Sequence, residues 1–206
     1  MNEHGIISAK VTDDAEDFAN LALIAAPKYL PALYIGMHDK VHHRLFRHSC
    51  NLLSFVHTNF MRVDGKVAGM VVAYDWKVNK EEQLKTTLLI IRCMGFMKFL
   101  KQMRHMQWSG ENLGRIDDGT YYVAVLGLYE DFRSRGLGTE MLTFVQEQAT
   151  KAGATKLELD AETYNQDAIR LYRRFGMKEV GDLKRTTIAS EQFEFVRMSK
   201  NLSRQS

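Results

Sequence analysis

Cysteine, proline and long apolar runs are all scarce in this chain, and each scarcity closes off a class of protein. The two cysteines, Cys50 and Cys93, stand far apart without C-x-x-C spacing, so no zinc or dithiol redox motif is present and reduced thiols of a cytoplasmic protein are the reading. The two prolines, Pro27 and Pro31, fall close together, and no stretch reads as a linker to a second domain. The apolar run Leu88-Leu89-Ile90-Ile91 is followed at once by Arg92, far below the ~20 residues of a membrane span. No apolar h-region follows the N-terminus, so no signal peptide is expected. A net charge of +3 without any Lys/Arg run argues against nucleic acid but is compatible with an anionic cofactor. Gly-Lys-Ser/Thr is absent, which excludes a P-loop, and no strand leads directly into G-x-G-x-x-G.

What is present is an ordinary soluble composition, 45% hydrophobic and 26% charged over 206 residues. That is enough chain for one core and most simply one domain, residues 1–206. The stretch that organises it runs from Tyr121 to Lys151. Tyr121 to Leu128 reads as a buried strand, rich in good β-formers. Met141, Leu142, Val145 and Ala149 recur at helical spacing. Between strand and helix sits Arg133-Ser134-Arg135-Gly136-Leu137-Gly138-Thr139. Glycines there let the backbone turn sharply and approach a ligand. The free amides of the first helical turn, the helix dipole and two guanidinium groups make an anion site suited to phosphate or pyrophosphate.

Two motifs make that site specific. R-x-x-G-x-G between strand and helix resembles the acetyl-CoA pyrophosphate loop of the GNAT superfamily of N-acetyltransferases. Downstream, Asn165 to Met177 (NQDAIRLYRRFGM) is similar to the family's second signature, N-x-x-A-x-x-L-Y-x-x-x-G-[FM], in the expected order and distance. The resemblance implies an α+β fold, a mixed central β-sheet flanked by helices. It also implies acetyl transfer from acetyl-CoA, the cosubstrate, to a primary amine in a ternary complex. Arg133, Arg135, Gly136, Leu137, Gly138 and Thr139 would take the pyrophosphate. Leu126 and Leu128 would pair with the pantetheine through their backbone, as an added strand does, and Gly127 between them is read as a bulge. Asn165 matches the position that approaches the pantetheine arm and also reads as an Asx turn or N-cap. Tyr172 matches the tyrosine that faces the CoA sulfur, so it is the expected catalytic proton donor.

The remaining elements are read from local pattern. Ile6 to Val11 alternates like a strand, and Thr12 reads as the N-cap of a helix with Phe18, Leu21, Ala22 and Ala25 on its apolar stripe. Pro27 and Pro31 break the segment after that helix. A second helix within residues 36–51 carries His38, His42, His43 and His48. His38 and His42 share a face, but without a third ligand the expectation is a polar, solvated or substrate-facing surface and no metal. Asn59 to Tyr74 reads as a hairpin about Asp64-Gly65. Residues of about 79–118 form an insertion before the central strand, two helices divided by Gly95. Its Met and aromatic residues suit plain core, an acceptor pocket or a dimer face. Ser109 to Thr120 reads as a polar loop, Met177 to Val180 and Phe193 to Met198 as the last strands, and Asn201 to Ser206 as a frayed tail.

The chemistry needs a base as well as an acid, because an alkylamine of pKa ~10.4 is almost wholly protonated near neutrality. Relatives place a Glu on the central strand, where this chain has Tyr121 and Tyr122. Glu130, Asp131, Glu162, the second-helix histidines and a backbone-held water stay open. A small-molecule acceptor is favoured, a homodimer is compatible with the fold, and neither nucleic acid nor membrane is an expected partner. The rival from another class is a non-catalytic module that binds acyl-CoA and senses or scaffolds.

Overall fold

Asp64 and Gly65 both adopt left-handed backbone, φ 49° and 77°, as a two-residue hairpin turn of type I′ requires. They join β2 (Thr58–Val63) to β3 (Lys66–Asp75). The computed structural model describes residues 4–11, 15–109, 116–188 and 190–202. The expected cap at Thr12, part of the Ser109–Thr120 loop and the last four residues lie outside them. The other strands are β1 (His4–Ser8), β4 (Met106–Ser109), β5 (Thr120–Leu128), β6 (Lys156–Glu162), β7 (Lys178–Ile188) and β8 (Glu191–Asn201). The helices are α1 (Ala15–Ala25), α2 (Tyr29–Leu33), α3 (His38–Arg47), α4 (Trp76–Met94), α5 (Phe96–His105), α6 (Leu137–Lys151) and α7 (Gln166–Arg174). The eight strands form one mixed sheet in the order β1-β2-β3-β5-β6-β8-β7-β4, the expected α+β architecture.

Period-two alternation in β3 sorts the core into two layers. Met70 and Val72 face Phe18, Leu21 and Ala22 of α1 and Phe46 of α3. Val71 and Ala73 face the opposite layer, with Met141, Leu142 and Val145 of α6 and Ile169 of α7. Helix α6 stops by a Schellman arrangement: Gly153 is left-handed at φ 74° and the Ala154 amide donates to the Ala149 carbonyl at 3.0 Å, satisfying carbonyls the helix leaves open.

Several expectations are corrected by the sheet. Gly127 is not a bulge. It pairs in register with Met70, and the β3–β5 irregularity sits one turn of the pleat earlier, where Val72 opposes Val125 and Ala73 opposes Val123, leaving Ala124 unmatched. Gly127 is small for another reason: a Cβ there would stand 2.6 Å from the Leu21 carbonyl oxygen of α1. Pro31 does not break the chain. It occupies the first turn of α2, where its missing N–H has no helical partner to lose. The last two strands are eleven residues each. Asn201 belongs to β8, and the Leu202 amide donates to the Thr155 carbonyl at 2.8 Å, so the tail begins later than expected. The insertion is the expected helix pair, with Gly95 at φ 84° between α4 and α5. It ends in β4, which pairs with β7 at the border of the sheet. Asp75 caps α4, its carboxylate accepting from the Lys77 and Val78 amides at 2.9 Å each. No helix of the described residues is long and apolar enough to cross a membrane.

The four-histidine helix also differs from its expectation. His42 is 1% exposed, its ring 5.9 Å from that of Phe18 and 5.4 Å from that of Tyr34, so it is core and not a polar face. His38 instead meets Asp39 at 3.3 Å. Among the described residues no group of three His, Cys, Asp or Glu converges as metal ligands. Burial pushes the His42 imidazole down to about 4, against ~6.5 in an unfolded chain. Above pH ~6.5 both states are neutral and nothing is lost. Between there and about 4 the unfolded chain takes up a proton the fold refuses, at a cost reaching on the order of 3 kcal/mol. His42→Phe should therefore flatten the fall of thermal stability between pH 7 and pH 4.5, as read by calorimetric melting at each pH.

Candidate active site

The site begins where two strands part. β5 runs parallel to β6 for only three pairs, Thr120 with Lys156 through Tyr122 with Glu158. Beyond them β6 stays with β8 and β5 stays with β3. From Val123 to Leu128 one border of β5 therefore faces a gap and not a strand. Unpaired backbone donors and acceptors on such a border are a template for an extended ligand. Two cavities open there. One of about 550 Å³ lies against Leu126, Gly127 and Leu128 and reaches the loop before α6. A smaller chamber of about 150 Å³ lies deeper, and Leu126, Asn165 and Ala168 border both.

At the outer cavity Gly136 is the residue before α6, left-handed at φ 83°. The first amides to bond back are those of Thr139 and Glu140, both to the Gly136 carbonyl. The Leu137 and Gly138 amides have no backbone acceptor among the described residues, so they point outward with the positive end of a fifteen-residue helix behind them. A Cβ on Gly138 would come 2.9 Å from Leu171 of α7, which is why that position is bare. Arg133 lines the cavity and anchors its Nε on the Leu128 carbonyl at 3.3 Å. Ser134, Gly136, Leu137, Gly138 and Thr139 line it too.

Arg135 behaves differently from Arg133. Its guanidinium lies over the Phe132 ring at 5.4 Å and does not line the cavity. In its place α7 supplies Arg170 and Arg174, which sequence reasoning missed. They sit one helical turn apart on the stripe that carries Leu171, so their spacing was the available signal. Arg170 also pairs with Asp167. Asn165 is the α7 N-cap, its side chain accepting from the Ala168 amide at 3.2 Å, and it also lines the cavity.

The inner chamber holds Tyr172, 7% exposed, with burial pushing its phenol up to about 12. Beside it Asp160 is bound by four groups. Arg197 clasps it through Nε at 3.0 Å and Nη2 at 2.9 Å, Lys184 stands 3.2 Å away, and the Tyr122 hydroxyl donates at 3.0 Å. Burial pulls the Arg197 guanidinium down, but the Asp160 hydrogen bonds and charge outweigh it and the net shift is upward. Asp160 is thus a fixed anion with its counter-charges in place. Glu162 is not: it is 7% exposed, and its Oε1 has no hydrogen-bond partner among the described residues. Of the other base candidates, Glu130 and Asp131 are exposed on the turn after β5, and no histidine borders either cavity.

A cleft between parted parallel strands, with free amides and guanidinium groups at one end and a buried tyrosine at the other, matches a known sequence family. The model of the acetyltransferase (GNAT) family fits residues 22–177. The chain belongs to that family. An acetyltransferase of Agrobacterium fabrum is 33% identical over 75 residues, 36% of this chain and 53% of that protein. A mycothiol acetyltransferase of Corynebacterium aurimucosum is 35% identical over 71 residues, 34% of this chain and 22% of that protein. The chain thus matches about half the length of the first and less of the second. Among solved structures, an N-acetyltransferase from Staphylococcus aureus Mu50 superposes with a TM-score of 0.70 at 19% identity, over 95% of this chain and all of that one. A GNAT family acetyltransferase from Elizabethkingia anophelis with acetyl-CoA bound gives 0.55 at 13%, over 97% and 98%. At such identities these two speak for the fold alone.

The residues present could hold coenzyme A: the outward amides with Arg133, Arg170 and Arg174 would suit the diphosphate, and the open β5 border would suit the amide-bearing arm. Gly136→Asp should set a carboxylate against the diphosphate and lower CoA affinity at least tenfold. Arg174→Ala should lower it by roughly tenfold, the range of one charge-assisted hydrogen bond. Isothermal titration with CoA reads both, and wild-type affinity in Gly136→Asp would remove this loop from the site.

Glu162 has a consequence for stability as well. Burial raises its carboxyl to about 7, with the Tyr164 hydroxyl and the Lys28 charge opposing, against an unfolded value near 4.5. Below pH ~4.5 the group is neutral in both states and costs nothing. Between there and about 7 the unfolded chain ionises first, so folding loses stability as pH rises, by on the order of 3 kcal/mol in full. Glu162→Gln should raise the melting temperature at pH 8 and leave it unchanged at pH 4.

Proposed function

We propose that this GNAT protein transfers the acetyl group of acetyl-CoA to the primary amine of a small molecule, by direct attack within a ternary complex. The observation that supports it is the continuity of the two cavities. The outer one carries Arg133, Arg170, Arg174 and the free amides suited to a diphosphate, and the inner one, which shares Leu126, Asn165 and Ala168 with it, is lined by Tyr172. Acetyl-CoA supplies the acyl group as a thioester. The protein's residues do the rest.

The Leu137 and Gly138 amides and the arginines of the outer cavity fix one end of the cosubstrate. The β5 border from Val123 to Leu128 extends it toward the chamber by backbone hydrogen bonds, as an added strand would. The irregularity at Ala124 leaves that residue outside the β3 register, and its backbone is the candidate donor to the thioester carbonyl. Tyr172 stays protonated throughout the physiological range and presents its hydroxyl to the sulfur that departs. A phenol held near 12 is too weak an acid to give up its proton outright to a thiolate of pKa ~8.5. It donates as nitrogen loses its own proton, so the two transfers balance. The chamber is small, about 150 Å³, roughly the volume of five water molecules, which favours a slim acceptor.

Release of free thiol from acetyl-CoA, measured against a panel of primary amines, tests this reading. At least one amine should raise the rate well above background hydrolysis. Tyr172→Phe should lower kcat by about 10²-fold with little change in KM for acetyl-CoA, the usual size of an acid–base contribution. A protein that binds acetyl-CoA and acetylates no amine would be a binding module and not an enzyme.

A further inference from the structure

The acid and the loop leave one group in the chamber without a task. Asp160 is already held by Arg197, Lys184 and Tyr122, whereas Glu162, at the end of β6, has a buried Oε1 with no partner among the described residues. Among the described residues no Lys or Arg lines the chamber. Its walls include the small residues Ala22, Ala25 and Ala26 of α1 and its extension, and the rings of Tyr29 and Phe195, whose centroids stand 5.0 Å apart edge to face. A buried carboxylate oxygen without a partner among the described residues, beside small apolar residues and ring faces, suits a slim ammonium in both charge and space.

We infer that Glu162 is the group that receives the acceptor: it binds the ammonium of a slim, uncharged primary alkylamine or arylalkylamine in the chamber and takes its proton. This rests on the acetyl-transfer reading above. The ammonium gives one proton to the Glu162 carboxylate. The freed nitrogen then forms the N–C bond to the acetyl carbon, and the C–S bond breaks with its electron pair on sulfur. Sulfur takes the Tyr172 proton, and the second nitrogen proton returns to the Tyr172 oxygen by way of solvent. Glu162 releases its proton to water when the amide leaves.

The groups that set the ionisation of Glu162 come from every side. Lys28 follows α1, Tyr29 belongs to α2, Tyr164 precedes α7 and Glu191 begins β8. Tyr122, Asp160 and Tyr172 line the same chamber. Burial dominates and holds the carboxyl near 7, so at pH 8 it is ionised and ready. An acceptor that carries its own carboxylate meets the Glu162 carboxylate, and Arg197 and Lys184 are already engaged by Asp160, so it is excluded.

The test compares pH profiles of kcat/KM for ethylamine, hexylamine and benzylamine. Wild type binds the ammonium, so its profile should rise to about pH 7 and then stay level to about 10. Glu162→Gln has nothing to take the proton and must use free amine. Its profile should climb tenfold per pH unit across that interval, about 10²-fold below wild type at pH 8 and closing on it near pH 10. Glu162→Asp should restore a level stretch at a lower rate. Parallel profiles for wild type and Glu162→Gln would overturn the assignment. Should no amine be acetylated, the acetyl-transfer reading fails first. Carboxyl NMR of the CoA-loaded protein then decides this one: benzylammonium should lower the Glu162 titration midpoint by at least half a unit, and an unmoved midpoint overturns it.

Discussion

The separation of β5 from β6 after three residue pairs is the constraint on which the site depends. A parallel pair that stayed closed would spend every backbone donor and acceptor of the central strand on its neighbour. By parting, β5 keeps a ladder with β3 on one side and offers an open one on the other. The gap needs walls, and they come from the pieces that most directly join these strands. α6 brings its free amides to the outer end, while α7 brings Asn165, Arg170 and Arg174 to the rim and Tyr172 to the floor. α1 covers the gap from the opposite layer. It packs so close that Gly127 has no room for a Cβ beneath the Leu21 carbonyl.

The buried charges of the inner chamber have contrasting settings, although both sit on one strand two residues apart. Asp160 and Glu162 both point into the space beside Tyr172. Asp160 reached three partner residues because Arg197 and Lys184 lie across on β8 and β7 and Tyr122 lies on β5. Glu162 stands past the last useful neighbour on β8, where Glu194 and Phe195 take over. One carboxylate is neutralised within the fold. The other carries a desolvation cost that Tyr164 and Lys28 offset only in part.

Much of this was legible in the residues. The glycine turn into α6, the Asp64-Gly65 hairpin, the break at Gly95 and the Asn165 cap are local features whose reasons lie within a few residues of sequence. What escaped reading depends on distant contacts. Gly127 looked like a bulge because a glycine in a strand usually marks one; the helix that forbids a side chain there lies more than a hundred residues away. His42 looked polar because its own helix is polar, while the rings of Phe18 and Tyr34, both outside that helix, pack against it. Arg135 and Arg174 exchange roles because a guanidinium beside a loop stacks on the nearest ring, while one on α7 is aimed by a helix. Glu162 could be named as one of several carboxylates, but its isolation from cations is a property of the folded chamber.

The final strand of the insertion has an effect beyond its own few residues. By laying Met106 to Ser109 along β7, the chain fills the vacancy at which a neighbouring molecule would otherwise continue the sheet. Strand pairing between copies along the full length of β7 is thereby obstructed at Arg185 to Ile188, and β4 itself becomes the strand at that end of the sheet.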